Sequence, residues 1–475
     1  MITELFIFRN DLRINDNTAF EKACESALSN NALVLAVFIL NPEQLLFDKN
    51  SYASNNAIQF MYESLIDLND KMKGKLHLLY GENLAVLDSL FKLKSLKSLK
   101  NVWVNNDYTP YSRKRDSEIE KLCQQYSIKF NGLEDRLLQP VGSVRPKTGS
   151  PIYLKFTPFF TSSSKLLVRA VSDFAYDKVN DRVAILTLTL ADAPNILFKT
   201  ANDLKKSLND GLSNSHIPQH GGRDNVMKVI DDLPDYDDYE ETRDYPDKKT
   251  TQLSAHIKFG TISIRELYWH IYYTLGDSSV LIKQLYWRDF YYNIAWITDD
   301  FKKSMKPKYD KIVWVNDPKL FEAWKNGLTG FPLIDAGMRE LNTTGYMHNR
   351  TRMATANFLV KLLGIDWRYG EKYFAQKLYD YDPAINNGNW QWVAGLGADA
   401  QPYFRIFNPW LQSEKFDKDC KYIKKWCPEL QSVPNNVIHQ WDKHYKNYIS
   451  LVAYPSPCID YEKAREQSLE LYKGL

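Results

Sequence analysis

The residues best suited to chemistry crowd into one stretch, Asp380-Tyr381-Asp382-Pro383-Ala384-Ile385-Asn386-Asn387-Gly388-Asn389-Trp390-Gln391-Trp392. Carboxylates, paired amides and indoles surround a single glycine there. Carboxylates beside rings of core character need counter-charges, because an unpaired buried charge is costly. Upstream, Met347-His348-Asn349-Arg350-Thr351-Arg352-Met353 supplies two arginines for that purpose. The same residues also suit a plainer role, two helix ends capped by Asp and Asn.

Other chemistries find less support. The five cysteines contain no C-x-x-C pair, which argues against a zinc site and for free thiols in a reducing compartment. A cytoplasmic protein without bound metal is expected. The first strand-like run, Leu5–Phe8, leads into Arg9-Asn10-Asp11-Leu12-Arg13 and not into G-x-G-x-x-G. The dinucleotide fingerprint is missing, so a nicotinamide dehydrogenase is not expected.

The elements that must carry these residues are legible in outline. At 475 residues, two domains are the default. Apolar runs at Leu5–Phe8, Leu33–Leu40, Leu76–Tyr80, Val102–Asn105 and Ile128–Gly132 alternate with helical patterns such as Ala57–Lys71 and Arg113–Tyr126. That rhythm predicts an α/β domain with a Rossmann-like parallel sheet over 1–135. A connector follows over 136–238, its pattern weakest from Thr161 to Pro246. An all-helical domain rich in Trp, Tyr and Phe occupies 239–475. No apolar run is long enough to span a bilayer, and the N-terminus lacks the pattern of a secretion signal. The net charge of +3 neither announces nor excludes nucleic acid, because a local basic patch suffices.

Along nearly the whole chain, a series of motifs resembles the photolyase/cryptochrome family, most closely its class I cyclobutane-dimer photolyases. These are Phe8–Arg13 with Asp16-Asn17, Lys155–Phe159, Trp287–Tyr291, Thr329–Pro332, Gly345–Met353, Asp366-Trp367-Arg368, Asp380–Trp392 and Pro402–Pro409. The resemblance implies FAD held in the helical domain. Tyr239 and Thr250-Thr251-Gln252-Leu253-Ser254 match the segment around its phosphates, where hydroxyls and N–H groups at a helix start suit a pyrophosphate. Arg288 matches a further FAD contact. Asp380 and Asp382 match the acids along the ring and ribityl side, with Arg352 paired to Asp380. Asn386 matches the residue facing flavin N5, where an amide can serve either redox state.

Trp390, Trp367 and Trp314 match the family's electron-hopping tryptophans, although any one alone reads equally well as core. Trp287 and Trp392 match the indoles that pack against a flipped-out pyrimidine dimer. Arg243, Arg350 and Arg405 match the phosphate-gripping positions, and each also suits an ordinary ion pair or solvated charge. Gln284 stands where most bacterial dimer photolyases carry Glu. Asn349 and Met353 stand where the (6-4) branch carries its two histidines. The segment Tyr108–Arg113 lacks the Asn-Glu pair of folate-binding relatives, so a second, antenna chromophore (deazaflavin, flavin or folate) stays open. The expected protein is a monomeric, light-driven enzyme acting on UV-damaged DNA with no membrane partner. Its alternatives are a signalling cryptochrome, including the DASH type, and a (6-4) photolyase. A signalling cryptochrome usually carries a long tail after the last helical segment, and the sequence ends at Leu475, soon after Tyr461–Tyr472.

Overall fold

The computed structural model describes residues 1–186, 197–400 and 402–473. They form two compact units: Met1–Asn214, Gln219–Asp235 and Gln252–Asp299 in the first, Ser215–Pro218, Tyr236–Thr251 and Asp300–Leu475 in the second.

The first unit is built on a six-stranded sheet, ordered β5-β4-β1-β2-β3-β6. Its strands are β1 (Ile2–Phe8), β2 (Leu33–Leu40), β3 (Leu76–Tyr80), β4 (Asn101–Asn105), β5 (Lys129–Leu133) and β6 (Leu197–Lys199). The first five run parallel, and β6 adds antiparallel to β3. All of β1 and nearly all of β2 are buried, as expected of central parallel strands covered on both faces. The helices between the strands are α1 (Thr18–Ser29), α2 (Asn55–Lys71), α3 (Asn83–Phe91) and α4 (Pro110–Gln125). Beyond the sheet come α5 (Phe156–Ser163), α6 (Arg223–Asp231), α7 (Ile264–Leu275) and α8 (Val280–Ile297).

The turn after β1 holds charge where a nucleotide-binding fold would hold glycines. Arg13 donates to Asp135 at 2.5 Å, and Arg265, on α7, donates to Asp135 and to Asp16, both at 2.8 Å. All four side chains are buried. Burial works against ionisation of Asp135, but the Arg13 and Arg265 guanidiniums outweigh it and hold this carboxyl well below the usual range. The opening motif is therefore an internal cross-link.

Asp289, on α8, is a different case. Its Oδ2 accepts the Gln139 N–H at 3.2 Å, while Oδ1 is buried with no partner among the described residues. Burial pushes the carboxyl up to about 7. The folded chain therefore keeps this proton between about pH 4 and 7, where the unfolded chain has lost it. Stability should fall as pH rises through that window, by up to roughly 4 kcal/mol. Asp289→Asn is expected to flatten the fall between pH 5 and 8 in thermal melts and to melt no lower than wild type at pH 8. An unchanged pH slope would show that Asp289 is not the titrating group.

The second unit is helical: α9 (Pro318–Lys325), α10 (Pro332–Thr344), α11 (Asn349–Asn357), α12 (Trp367–Lys377), α13 (Pro383–Ala394), α14 (Pro409–Phe416) and α15 (Tyr461–Tyr472). One apolar core joins them, with Trp324, Trp367 and Trp441 fully enclosed. The Thr329–Pro332 motif is structural. Buried Asp335 accepts from the Thr329 N–H at 2.8 Å, the Gly330 N–H at 3.0 Å and the Tyr454 hydroxyl at 2.5 Å. Gly330 has φ 75°, and a Cβ there would lie 2.3 Å from the Ser456 carbonyl oxygen, so only glycine fits.

Candidate functional site

The site residues of the second unit gather around α11 and α13. Pro383 opens α13, and extended Asp382 caps it, accepting from Ala384 N at 3.0 Å and Ile385 N at 3.4 Å. The plainer role is thus real for Asp382. Asp380, two residues earlier, is turned to Arg352 instead, with N–O distances of 2.9 and 3.3 Å in a two-point pair. Burial depresses the Arg352 guanidinium, but Asp380 more than compensates and holds it above its ordinary value. Arg352 Nε also donates to the Met347 carbonyl at 2.7 Å, which fixes the fork.

One turn into α13, Asn386 donates from Nδ2 to the Glu371 carbonyl at 3.0 Å and to its Oε1 at 3.1 Å. Both partners are acceptors, so the amide nitrogen must face them. What Asn386 can then offer to a ligand is an acceptor, Oδ1. That narrows the sequence expectation, in which the amide served either redox state. The arrangement fits a flavin whose N5 carries hydrogen. Nearby, the Tyr346 hydroxyl lies 3.1 Å from Thr250 Oγ1, and the Arg352 guanidinium sits 5.5 Å from the Tyr346 ring centre. Thr251 is buried, and half-buried Tyr239 opens a one-turn helix to Thr242.

The three tryptophans all lie in this unit and differ in exposure. Trp390 and Trp367 are buried, while Trp314 is half-buried. Trp390 packs edge-on to Phe374 at 4.9 Å. Gly370, one turn beyond Trp367, permits this, because a Cβ there would lie 2.2 Å from the Trp390 ring. Sequence reasoning missed Gly370 and Glu371, since neither stands inside a quoted motif.

Other flavin and lesion candidates belong to the first unit. Gln284, Trp287 and Arg288 share one face of α8 by their i, i+3, i+4 spacing. Trp287 stacks flat on Phe156, with centres 3.5 Å apart and planes 6° from parallel. Arg288 donates to the Arg136 carbonyl at 2.5 Å and lies 4.7 Å from the Tyr292 ring centre. Gln252 adopts left-handed φ 50°, followed by buried Leu253 and by Ser254 at the start of a short helix to Phe259.

The substrate candidates of the second unit are unequal. Arg350 is engaged, with Asp244 at 2.7 Å and the Phe416 ring centre 4.1 Å away. Arg243 and Trp392 are half-buried, and Arg405 is exposed in a turn next to exposed Tyr403 and Phe404. Asn349 and Met353 sit together on α11, Nδ2 to Sδ 3.7 Å. His348 is the cap of that helix, its Nδ1 accepting from Arg350 N at 3.1 Å. Burial, with Arg352 adding to it, pushes this imidazole down to about 4 and keeps it neutral. Among the described residues no group of His, Cys, Asp or Glu could hold a metal, and no helix is long and apolar enough to cross a membrane.

A parallel-sheet unit joined to a helical one with an arginine–carboxylate–amide group suited to a flavin defines a flavoprotein class, and comparison with known proteins sharpens it. Residues 4–173 match the family described as DNA photolyase, and residues 281–474 match the FAD binding domain of DNA photolyase. The chain is 35% identical over 484 residues to the deoxyribodipyrimidine photo-lyase of Alkalihalophilus pseudofirmus, covering 98% of this chain and 97% of that one. Among solved structures, the photolyase of Sulfolobus tokodaii with two FAD molecules is similar over 100% of both chains (38% identity, TM-score 0.83). A class III photolyase of Agrobacterium tumefaciens is similar over 99% of this chain and 97% of its own (31% identity, TM-score 0.83). The chain belongs to the DNA photolyase family, and its helical region carries that family's FAD-binding domain.

Proposed function

We propose that this protein repairs cyclobutane pyrimidine dimers in DNA by light-driven electron transfer, acting as a cytoplasmic monomer. Residues 1–135 serve as the antenna-type domain, 136–238 as connector, and 239–475 as the flavin- and lesion-binding domain. Bound FAD supplies light absorption and one-electron chemistry. Asp380, Asp382, Arg352, Arg288, Tyr239 and the Thr250–Ser254 segment hold it. Asn386, oriented by Glu371, presents an acceptor to a flavin N–H and so favours the reduced cofactor. Trp314, Trp367 and Trp390 relay electrons inward. Trp287, backed by Phe156, and Trp392 offer flat faces to an extruded lesion, where stacking offsets part of what the duplex loses. Arg243, Arg350 and Arg405 contact phosphates. For the second chromophore we favour a flavin, since the Sulfolobus tokodaii relative was solved with two FAD molecules.

The observation that carries the lesion class is the face of α11. Asn349 and Met353 occupy it, and the neighbouring His348 is tied up as a neutral helix cap. A (6-4) mechanism needs a proton donor at the lesion, and neither Asn349 nor Met353 can be one. Illuminating reduced protein with oligonucleotides that carry each lesion, and following product by chromatography, tests this. Conversion of (6-4) lesions with cyclobutane dimers untouched would overturn it.

Gln284 allows a finer check. Gln284→Glu is expected to keep dimer repair within about threefold of wild type, or raise it, while the carboxyl is protonated. Activity should then fall as pH rises, because a carboxylate repels the anionic lesion. A variant with a flat pH profile would remove Gln284 from the lesion contact.

A further inference from the structure

We propose that a row of four lysines, Lys94, Lys97, Lys100 and Lys129, is a second DNA-binding surface. It holds the phosphates of undamaged duplex while the lesion-contacting residues hold a dimer. The proposal rests on the reading above that the protein acts on DNA, and adds residues that no motif singles out.

Between α3 and β4, the segment Leu93-Lys94-Ser95-Leu96-Lys97-Ser98-Leu99-Lys100 repeats leucine and lysine every third residue. An α-helix, at 3.6 residues per turn, would spread such a repeat around its axis. The backbone closes in steps of three instead. Leu96 N donates to the Leu93 carbonyl at 3.0 Å, Lys97 N to that of Lys94 at 3.4 Å, and Leu99 N to that of Leu96 at 2.9 Å. At three residues per turn, positions i and i+3 lie above one another. Leu93, Leu96 and Leu99 are accordingly all buried in the core that α3 and α4 form against the sheet, and Lys94, Lys97 and Lys100 are all exposed. Lys129, also exposed, stands beside the end of the row, its N–H donating to the Lys100 carbonyl at 2.8 Å.

The row is positive and uncompensated. Lys92 to Lys100 holds four lysines and no acid, more charge than the net +3 of the whole chain. Elsewhere in this unit Lys22, Lys49, Lys92 and Lys114 have carboxylates at 2.6, 3.7, 2.6 and 3.9 Å. Lys94, Lys97, Lys100 and Lys129 form no ion pair among the described residues. A line of unpaired amines suits a line of phosphates, since lysine meets phosphate as a point charge and needs no fixed angle of approach. Lysines three residues apart advance about 6 Å, close to two phosphates of one strand at about 3.4 Å each. The leucines face inward and serines stand between the lysines, so the segment has no apolar side chain to offer a lipid surface.

The row also lies apart from the lesion candidates of its own unit. It sits at the amino ends of β4 and β5, where Lys100 N donates to the Thr3 carbonyl of β1 at 2.8 Å. Helices α7 and α8 attach at the carboxyl ends, through Arg265 to Asp16 and Asp135, and through Asp289 to Gln139. Strand β4, five residues long, separates the two ends by roughly 16 Å. Gln284 and Trp287 on α8 are thus at one end of the sheet and the lysines at the other. The lysines stay open to a second stretch of duplex, and contact of this kind, blind to sequence, lets a protein slide and hop along DNA.

The test saturates the FAD-loaded protein, in the dark, with a short single-stranded oligonucleotide carrying a cyclobutane dimer, then titrates fluorescent undamaged duplex by anisotropy at several salt concentrations. Wild type is expected to bind the duplex with the dimer in place. The combined Lys94→Gln, Lys97→Gln and Lys100→Gln variant should bind it about tenfold or more weakly at about 0.1 M salt, and its salt slope should be smaller by roughly 2.7 units, about 0.9 per phosphate released. Its repair of the short oligonucleotide at saturation should stay within about twofold of wild type, and arginine at the same three positions should restore duplex binding. Lys22→Gln, Lys49→Gln and Lys114→Gln together remove the same net charge and should leave duplex binding within about twofold of wild type. Duplex binding unchanged in the first triple variant, or lost equally in the second, overturns the proposal. So does a first triple variant that loses only its binding to vesicles of anionic lipid, or a wild type that releases the dimer whenever duplex binds. Failure of wild type to repair any lesion refutes the reading of function, whereas intact repair with unaltered duplex binding in the first triple variant refutes only this surface.

Discussion

Trp367→Phe is expected to slow photoreduction of oxidised, bound FAD by about 100-fold or more, equivalent to roughly 2.7 kcal/mol of barrier. Repair by chemically pre-reduced protein should stay within about twofold of wild type. The reason is chemical: indole gives up an electron far more readily than benzene, while the phenyl ring still fills most of the cavity. Trp367 is fully buried, and its Nε1–H has no acceptor among the described residues. An oxidised Trp367 therefore has nowhere to send its proton, which keeps the intermediate reversible and lets the hole move on to Trp314. Absorbance changes under blue light, with circular dichroism as a check on folding, decide the matter. Photoreduction at the wild-type rate would take Trp367 out of the path.

Arg352→Met should have the largest effect on stability and on FAD content. The Asp380 side chain is 4% exposed and Arg352 is its two-point partner. Removing only the cation takes the two-point counter-charge from a buried carboxylate, at a cost of about 3–5 kcal/mol. The urea midpoint should fall accordingly, and the purified protein should carry little flavin. Adding Asp380→Asn to Arg352→Met is expected to restore part of the stability without restoring the flavin, since the neutral amide no longer needs a counter-charge. If the double variant were as unstable as the sum of the two single ones, the pair would not be coupled and the site would owe its stability to other contacts.

Much of the architecture was legible because apolar runs declare themselves. β2 and β3 coincide with the predicted Leu33–Leu40 and Leu76–Tyr80, and α2 begins two residues before the predicted Ala57. Short β6 was not legible, because three residues carry no periodicity and its existence depends on β3 offering an edge. Nothing in the sequence near Arg265 or Asp289 announces that each ties its helix to residues more than a hundred positions earlier. In the site, Asp380, Asp382 and Asn386 stood out through local density and resemblance. Glu371 and Phe156 did not, because each acts on a partner brought to it only by the fold.

The buried Arg13–Asp135–Arg265 linkage also sets an order of events during synthesis. Strands β1 to β5 are all encoded before residue 134, and a nascent chain of that length already has its five-stranded sheet within reach. Once made, Asp135 would have Arg13 and the Thr18 N–H and hydroxyl but not its second guanidinium, and Asp16 would lack the Arg265 side chain that later grips it. Both wait for residue 265, roughly 130 positions further on, which at about 5–20 residues per second takes on the order of 7–26 s to emerge. During that interval the sheet exists without its closing clamp and with apolar surface still uncovered, so this is the window in which a chaperone or a protease would meet the growing chain.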